Sequence, residues 1–455
     1  MITKMFLHNF KSWDKTGDIR LAPLTGLFGS NSSGKTSLLQ LLLMLKQSAE
    51  SADRAQVLNL GDERSLVELG TFKDILYNHK GESILKFGFE WALKERLSVP
   101  DPEHKGRFIF EGNEFEFQSE IDENGAGRLS VIRLLYKFAG YSFIMRRSAK
   151  SKNEYLLESP SDQSVFKLKR SLGRVWNLPA PVKCYGFPDQ VKAYYQNAGF
   201  LSDFQLAFED LMANIYYLGP LRDYPKRQYT WAGAQPADMG RRGEKVVDAI
   251  LASRERGEKI SRGKGRKSLT LEEYAAYWLK ELNLIHSFKV ESITPESNLY
   301  RVKVKRSADS AEVLITDVGF GVSQILPVLT LCYYVPEGSI ILLEQPEIHL
   351  HPTVQAGLAD VFIDAIKKRN VQIILESHSE HLLRRMQTRI AQENISNDDA
   401  ALYFCEMRDG TSELRHLEIN LYGEITNWPE GFFGDDFGEM AAMAKAKMER
   451  LKKTA

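Results

Sequence analysis

Residues 29–36 read Gly-Ser-Asn-Ser-Ser-Gly-Lys-Thr, which matches the spacing G-x-x-x-x-G-K-[ST]. This run constrains the fold because it works only between a strand and a helix. An apolar run ends at Leu27-Phe28, and a helical apolar pattern follows from Ser37 to Leu45. Gly29 and Gly34 let the backbone curl, so that successive N–H groups point at phosphate oxygens. The start of the following helix adds partial positive charge. Asn31, Ser32, Ser33, Gly34, Lys35, Thr36 and Ser37 form this cradle. Lys35 is expected to reach the β- and γ-phosphates, and the Thr36 hydroxyl to ligate Mg²⁺. The pattern predicts a nucleoside triphosphate site.

The chain has 455 residues, enough for two or more lobes. Hydrophobic residues make up 43% and charged residues 26%, a composition ordinary for globular proteins. The formal net charge is zero, so contact with nucleic acid would need a local basic patch. Cys184, Cys332 and Cys405 are far apart and form no C-x-x-C, which argues against a zinc hook or a disulfide frame. The longest apolar run, Leu38–Leu45, is interrupted by Gln40 and too short for a bilayer. The first residues lack a signal-peptide core. These features predict a cytoplasmic protein that does not engage a membrane.

Along the chain, residues 83–170 are rich in short aromatic runs. Glu114-Phe115-Glu116-Phe117-Gln118 alternates strictly, and Asp122-Glu123-Asn124-Gly125 suggests a hairpin turn. Residues 190–217 and 271–285 read as helical. Between them, residues 254–267 are polar and basic, either a solvated loop or a contact for nucleic acid or a partner. Strands return over residues 298–317. Beyond these, buried strands alternate with helices, which argues for a parallel α/β sheet.

Ile340-Ile341-Leu342-Leu343 predicts a buried strand that presents Glu344 at its C-terminal end, where α/β sheets place ligands. Glu344 is the second expected Mg²⁺ residue. Gly319-Phe320-Gly321-Val322-Ser323 opens a further helix, a second potential anion site. Two such sites exceed what one triphosphate needs within one subunit, so the second is expected to cap a nucleotide held by a neighbour. His378 follows the strand Val371–Leu375 and should lie at the same sheet edge as Glu344, within reach of a γ-phosphate or its attacking water. His349 and His351 have a ligand-like spacing, but their Pro346–Pro352 context favours loop packing at an interface.

With these motifs the chain resembles the ABC-type ATPase heads of the SMC, DNA-repair and OLD (overcoming lysogenization defect) families. It is most similar to a nuclease-less prokaryotic OLD-like branch with Septu-type relatives. Leu7-His8-Asn9-Phe10-Lys11-Ser12-Trp13 looks like the families' N-terminal strand, which implies that Lys11 lies near the nucleotide. The likeness also takes in Tyr217–Arg222, Gly240–Glu244, Glu347–Pro352, Glu376–His381 and Asn427–Phe433. It implies an α/β fold, an ABC-type P-loop ATPase head with an antiparallel β lobe and a helical insertion. The head would comprise residues 1–80 and 297–417. The β-rich lobe would span 81–189, the helical insertion or lid with its basic loop 190–296, and a small extension 418–455.

The implied mechanism is a slow ATPase that clasps ATP and Mg²⁺ between one subunit's P-loop and the partner's Gly319, Gly321 and Ser323. Glu344, Gln345 and His378 would be catalytic. The resemblance implies self-association and a separately encoded effector, such as a nuclease, in anti-phage defence. The alternative is an SMC-like DNA-maintenance ATPase that clamps DNA itself, using Arg254, Arg256, Lys259, Arg262, Lys264, Arg266 and Lys267, joined by Arg146, Arg147 and Lys150.

Two positions depart from the pattern. Gln345 stands where these families typically carry a Glu that acts as general base on the attacking water, and Gln can orient water but not accept its proton. A natural glutamine and a Glu→Gln change that traps ATP both fit. Glu347 can assist only if the loop turns. Leu69–Asp74 fills the slot of the lobe-linking glutamine without supplying one. The acidic run Gly434–Glu439 reads as interface or solvated surface.

Overall fold

Strands covered on both faces carry no polar alternation, and three such strands form the middle of the central sheet. Leu24–Gly29, Ile340–Glu344 and Gln372–Glu376 are buried at every residue. In the computed structural model they belong to a six-stranded sheet. Its order is Ile215–Leu218, Ile340–Glu344, Gln372–Glu376, Leu24–Gly29, Ala400–Arg408, Thr411–Leu417. The first five run parallel, and the last returns antiparallel. The structure describes residues 1–79, 84–101, 106–123, 127–151, 154–159, 166–173, 177–295 and 297–429, with isolated positions 443, 446 and 447.

Alternate residues of these strands face two different cores. Ile340, Leu342 and Ile374 face one core with the P-loop helix Lys35–Glu50 and the helix Leu201–Ala213. Ile341, Leu343, Ile373 and Leu375 face the other, covered by Val246–Glu255, Leu271–Glu281, Phe320–Tyr334, Pro352–Arg369 and Glu380–Ala391.

The first core is closed by an eight-stranded antiparallel sheet that joins Ile2–Phe10, Trp13–Lys15 and Ile19–Arg20 to the strands between Leu85 and Glu158. The alternating run behaves as its period predicts. Phe115 and Phe117 point inward, where Phe115 stacks on Trp91 at 5.0 Å and Phe117 packs on Phe208 at 4.7 Å. Each such ring contributes about 1.5–3 kcal/mol of burial. A third, small sheet pairs Tyr229–Thr230, Ser287–Ser292, Leu299–Lys305 and Val313–Leu314.

Several expectations shift. The stretch expected to be helical to residue 217 breaks into Gln190–Tyr194, Leu201–Ala213 and the strand Ile215–Leu218. The β-branched and aromatic residues of that strand are drawn into register with Ile340–Leu343, so part of the expected insertion belongs to the head's sheet. Likewise Ile2–Phe10, expected in the head, pairs with Leu85–Pro100 of the lobe. The hairpin is present as the pairing Glu123↔Leu129, although Asn124 and Gly125 lie outside the described residues. The acidic run Gly434–Glu439 also lies outside them.

In the basic stretch, Arg254 pairs with Glu272, Arg256 pairs with Glu258, and Arg262 lies 4.4 Å over the Tyr277 ring. Lys259, Lys264, Arg266 and Lys267 are exposed. Arg146 and Arg147 of the lobe pair with Glu158 and Asp122. Among the described residues no helix is long and apolar enough to cross a membrane.

Candidate nucleotide site

The P-loop glycines are required by geometry. Gly29 has φ +139°, and a Cβ there would lie 2.0 Å from the Cys405 carbonyl oxygen. Gly34 takes the left-handed conformation at the start of the P-loop helix, and a Cβ would lie 2.4 Å from Ser412 Oγ. Trp13 Nε1 donates to the Gly34 carbonyl at 3.0 Å, and Ser412 Oγ donates to Ser12 Oγ at 2.6 Å. The Phe-Lys-Ser-Trp segment and the hairpin tip at Ser412 thus brace the loop from outside. Lys11, half-buried and at φ +52°, donates its N–H to Ile75 at 2.7 Å. Leu69–Asp74 feeds the short helix Phe72–Ile75, where Thr71 and Asp74 cap each other.

Lys35 is buried at the loop's centre. Its Nζ donates to the Ser30 carbonyl at 2.6 Å and the Gly29 carbonyl at 3.2 Å. Burial lowers its pKa. Thr36 Oγ1 donates to Glu376 Oε2 at 2.7 Å, and Lys35 Nζ lies 4.0 Å from Glu376 Oε1. The expected Mg²⁺ residues are Thr36 and Glu344, and the structure adds Glu376, which the Thr36 hydroxyl contacts directly. The topology explains the contact, since Gln372–Glu376 is inserted between the P-loop strand and the Ile340–Glu344 strand. Glu344 pairs in register with Glu376, and Glu376 with Leu27, so both carboxylates end at one sheet edge beside the P-loop.

Glu376 therefore joins the candidate site residues, although the expected set lacks it. Its signal is a glutamate that closes a second strand after three apolar residues, Ile373, Ile374 and Leu375.

Glu344 Oε1 accepts from the Tyr217 hydroxyl at 3.0 Å. Burial, then the neighbouring Glu376 charge, pushes its carboxyl up to about 7. Glu376 and Glu347 are raised by burial as well. The chain does turn after Glu344. Gln345 has φ +43°, its N–H donates to the Glu376 carbonyl at 2.9 Å, and the turn brings Glu347 back so that its Oε1 accepts from the His378 N–H at 2.7 Å. His378 is half-buried, and burial together with Lys35 lowers its pKa, which keeps the imidazole neutral at pH 7.

Arg222 was not singled out from the sequence. It follows the strand Ile215–Leu218 and is buried, and burial lowers its pKa to about 10.

Gly319 caps the Phe320–Tyr334 helix, and a Cβ on it would meet open space. Ser323 is buried one turn in, its Oγ donating to the Phe320 carbonyl at 2.7 Å. Phe320 is 39% exposed and lies 5.6 Å from Tyr224, itself 73% exposed, and 5.4 Å from His349. His351 caps the helix Pro352–Arg369. Both histidines thus have packing or capping roles. Among the described residues no three or more His, Cys, Asp or Glu gather as a metal cage.

The residues fit a magnesium triphosphate on two counts: a cradle that a Cβ would fill, and one hydroxyl beside two carboxylates. Mg²⁺ at phosphates is held by one or two carboxylates, with phosphate and water oxygens completing its shell.

Residues 251–383 match the family described as AAA ATPase domain, and residues 395–443 match a family described as protein of unknown function (DUF3696). The first range contains Gly319–Ser323, Glu344 and His378. No curated protein matches the chain. Similar solved structures include an Smc head bound to the C-winged helix domain of ScpA, at 13% identity and TM-score 0.45, covering 92% of this chain and 98% of that one. An Smc head with an extended coiled coil, bound to the C-terminal domain of ScpA derived from Pyrococcus furiosus, has 11% identity and TM-score 0.45, covering 92% and 96%. An SMC head domain from Thermotoga maritima has 10% identity and TM-score 0.40, covering 92% and 99%. The chain is a mixed α/β protein that carries an ATP-binding ATPase domain.

Proposed function

We propose that this chain hydrolyses ATP slowly and pairs with a second copy of itself around the nucleotide, so that ATP sets whether the pair is closed or open. The observation that carries this is the division of phosphate-binding parts. The P-loop is a complete cradle, yet a second glycine-started helix at Gly319 opens onto free space, flanked by the exposed rings of Phe320 and Tyr224. Exposed apolar side chains beside free helix amides suit a face that a partner covers.

Within one subunit, Lys35 and the loop amides hold the phosphates. Thr36, Glu376 and Glu344 would hold Mg²⁺, which neutralises charge on the phosphate oxygens when bound. Neutral His378 donates or accepts one hydrogen bond at the same edge. Gln345 orients water without taking its proton, which suits a slow switch. The resemblance to OLD-like ATPases adds the downstream role: the closed pair holds or releases a separately encoded effector, such as a nuclease, in anti-phage defence. The DNA-clamp reading keeps Lys259, Lys264, Arg266 and Lys267, while Arg254, Arg256 and Arg262 are occupied by internal contacts.

The test is analytical sedimentation of the purified chain with and without Mg²⁺–ATP. Wild type should double in mass with ATP, and Lys35→Ala should stay at its nucleotide-free mass. A wild type that remains monomeric at saturating ATP refutes the proposal.

A further inference from the structure

Arg222 sits at the end of a tightly held turn. The Gly219 N–H donates to the Arg241 carbonyl at 2.8 Å, and the Asp223 N–H donates to the Arg242 carbonyl at 3.0 Å. The turn follows an edge strand in register with Ile340–Leu343, so it emerges at the same sheet edge as Glu344 and Glu376. Leu221 is 67% exposed, whereas Arg222 is folded inward and only 4% exposed.

Nε, Nη1 and Nη2 of Arg222 all lack a hydrogen-bond partner. The groups within its electrostatic reach are Tyr217, Glu344 and Glu347. Tyr217 donates to Glu344, and Glu347 Oε1 accepts from the His378 N–H, while Glu347 Oε2 is buried without a hydrogen-bond partner of its own. Among the described residues none forms an ion pair with Arg222.

A buried guanidinium with its donors unmet is costly, and an anion that reaches it offsets that cost most fully. Glu344 is held by Tyr217, and even the unpaired Glu347 Oε2 does not reach the guanidinium to bond it. The remaining anion that belongs at this edge is a phosphate. A planar fork of N–H donors matches two phosphate oxygens, where an ammonium offers only a point charge.

We infer that Arg222 binds the terminal phosphate of the nucleoside triphosphate held by its own subunit, and thereby makes the site distinguish triphosphate from diphosphate. This rests on the nucleotide-site reading above. Arg222 then does from inside the subunit what the partner's Gly319 turn does from outside. It also supplies a link from the edge strand to the nucleotide where Leu69–Asp74 offers none.

The experiment is titration calorimetry with Mg²⁺–ATPγS and Mg²⁺–ADP on wild type, Arg222→Lys and Arg222→Ala, with thermal unfolding run on each. In Arg222→Ala, affinity for ATPγS should fall about tenfold or more while affinity for ADP changes little. Arg222→Lys should fall between. Single-turnover ATP hydrolysis should drop about 100-fold in the alanine variant. If the alanine variant fails to fold, the triphosphate-to-diphosphate affinity ratio of Arg222→Lys decides alone. Equal losses for both nucleotides, or no loss for either, overturn the role of Arg222 while leaving the site intact. A wild type that binds neither nucleotide sinks the site reading itself, and the arginine's role with it.

Discussion

Glu344 sits in an environment at odds with its charge. Burial, and Glu376 one strand away, raise its carboxyl from an ordinary 4.5 to about 7. Between those values the folded protein keeps a proton that the unfolded chain releases. Stability therefore falls as pH rises through this window, and the penalty is fully present above pH 7. Glu344→Gln removes the titration and keeps an oxygen for the Tyr217 hydroxyl. Without nucleotide and with a chelator present, the variant should be more stable than wild type at pH 8 by about 1–3 kcal/mol. At pH 4.5 the difference should largely vanish. Urea unfolding at the two pH values measures it, and equal differences at both would show that the carboxyl is not held protonated. The same strain suits binding, because a cation at this edge relieves both carboxylates.

Elements with a short-range signature were legible in the sequence; those defined by register were not. The P-loop and its helix announce themselves within a few residues, and Ile340–Glu344 does so through four apolar residues before a carboxylate. Glu376 carries a weaker local mark, three apolar residues after Gln372. Its role comes from Gln372–Glu376 being threaded between two strands distant in the chain, so that Thr36 meets a carboxylate 340 positions away. Ile215–Leu218 is four residues long and follows a helix directly, and periodicity cannot separate strand from helix over so short a run. Helix starts fall in the legible class. Thr270 and Glu273 form a capping box before Leu271–Glu281, with Thr270 Oγ1 accepting from the Glu273 N–H at 3.2 Å. Thr270→Ala should cost about 1 kcal/mol. Amide hydrogen exchange in the first turn should quicken, while nucleotide affinity stays unchanged. Unchanged exchange would mean that packing of Tyr274 and Trp278, not the cap, holds that turn.

Across the whole molecule, the nucleotide loop is wired into both layers. Gln372 ties the sheets together, accepting from the Ile2 N–H at 2.9 Å and donating to the Ile2 carbonyl at 2.7 Å. Trp13, from the antiparallel sheet's side, holds the Gly34 carbonyl. A change at the P-loop is thus felt by the lobe, and a sandwich of two copies would let each subunit's Gly319 turn feel the other's loop. This arrangement makes a prediction that no single subunit can satisfy. Lys35→Ala removes the loop's cation and Ser323→Arg blocks the helix start, so each variant alone should be nearly inactive. A mixed pair contains one intact composite site, with Lys35 from the Ser323→Arg subunit and Ser323 from the Lys35→Ala subunit. Equimolar mixing gives mixed pairs half the time, each with one working site of two, so ATPase activity should recover to about a quarter of wild type. Measuring phosphate release against mixing ratio should give a curve that peaks at equal amounts. A flat line at the level of the single variants would mean that each site is built within one subunit, and that the exposed Gly319 turn serves something other than a neighbour's phosphates.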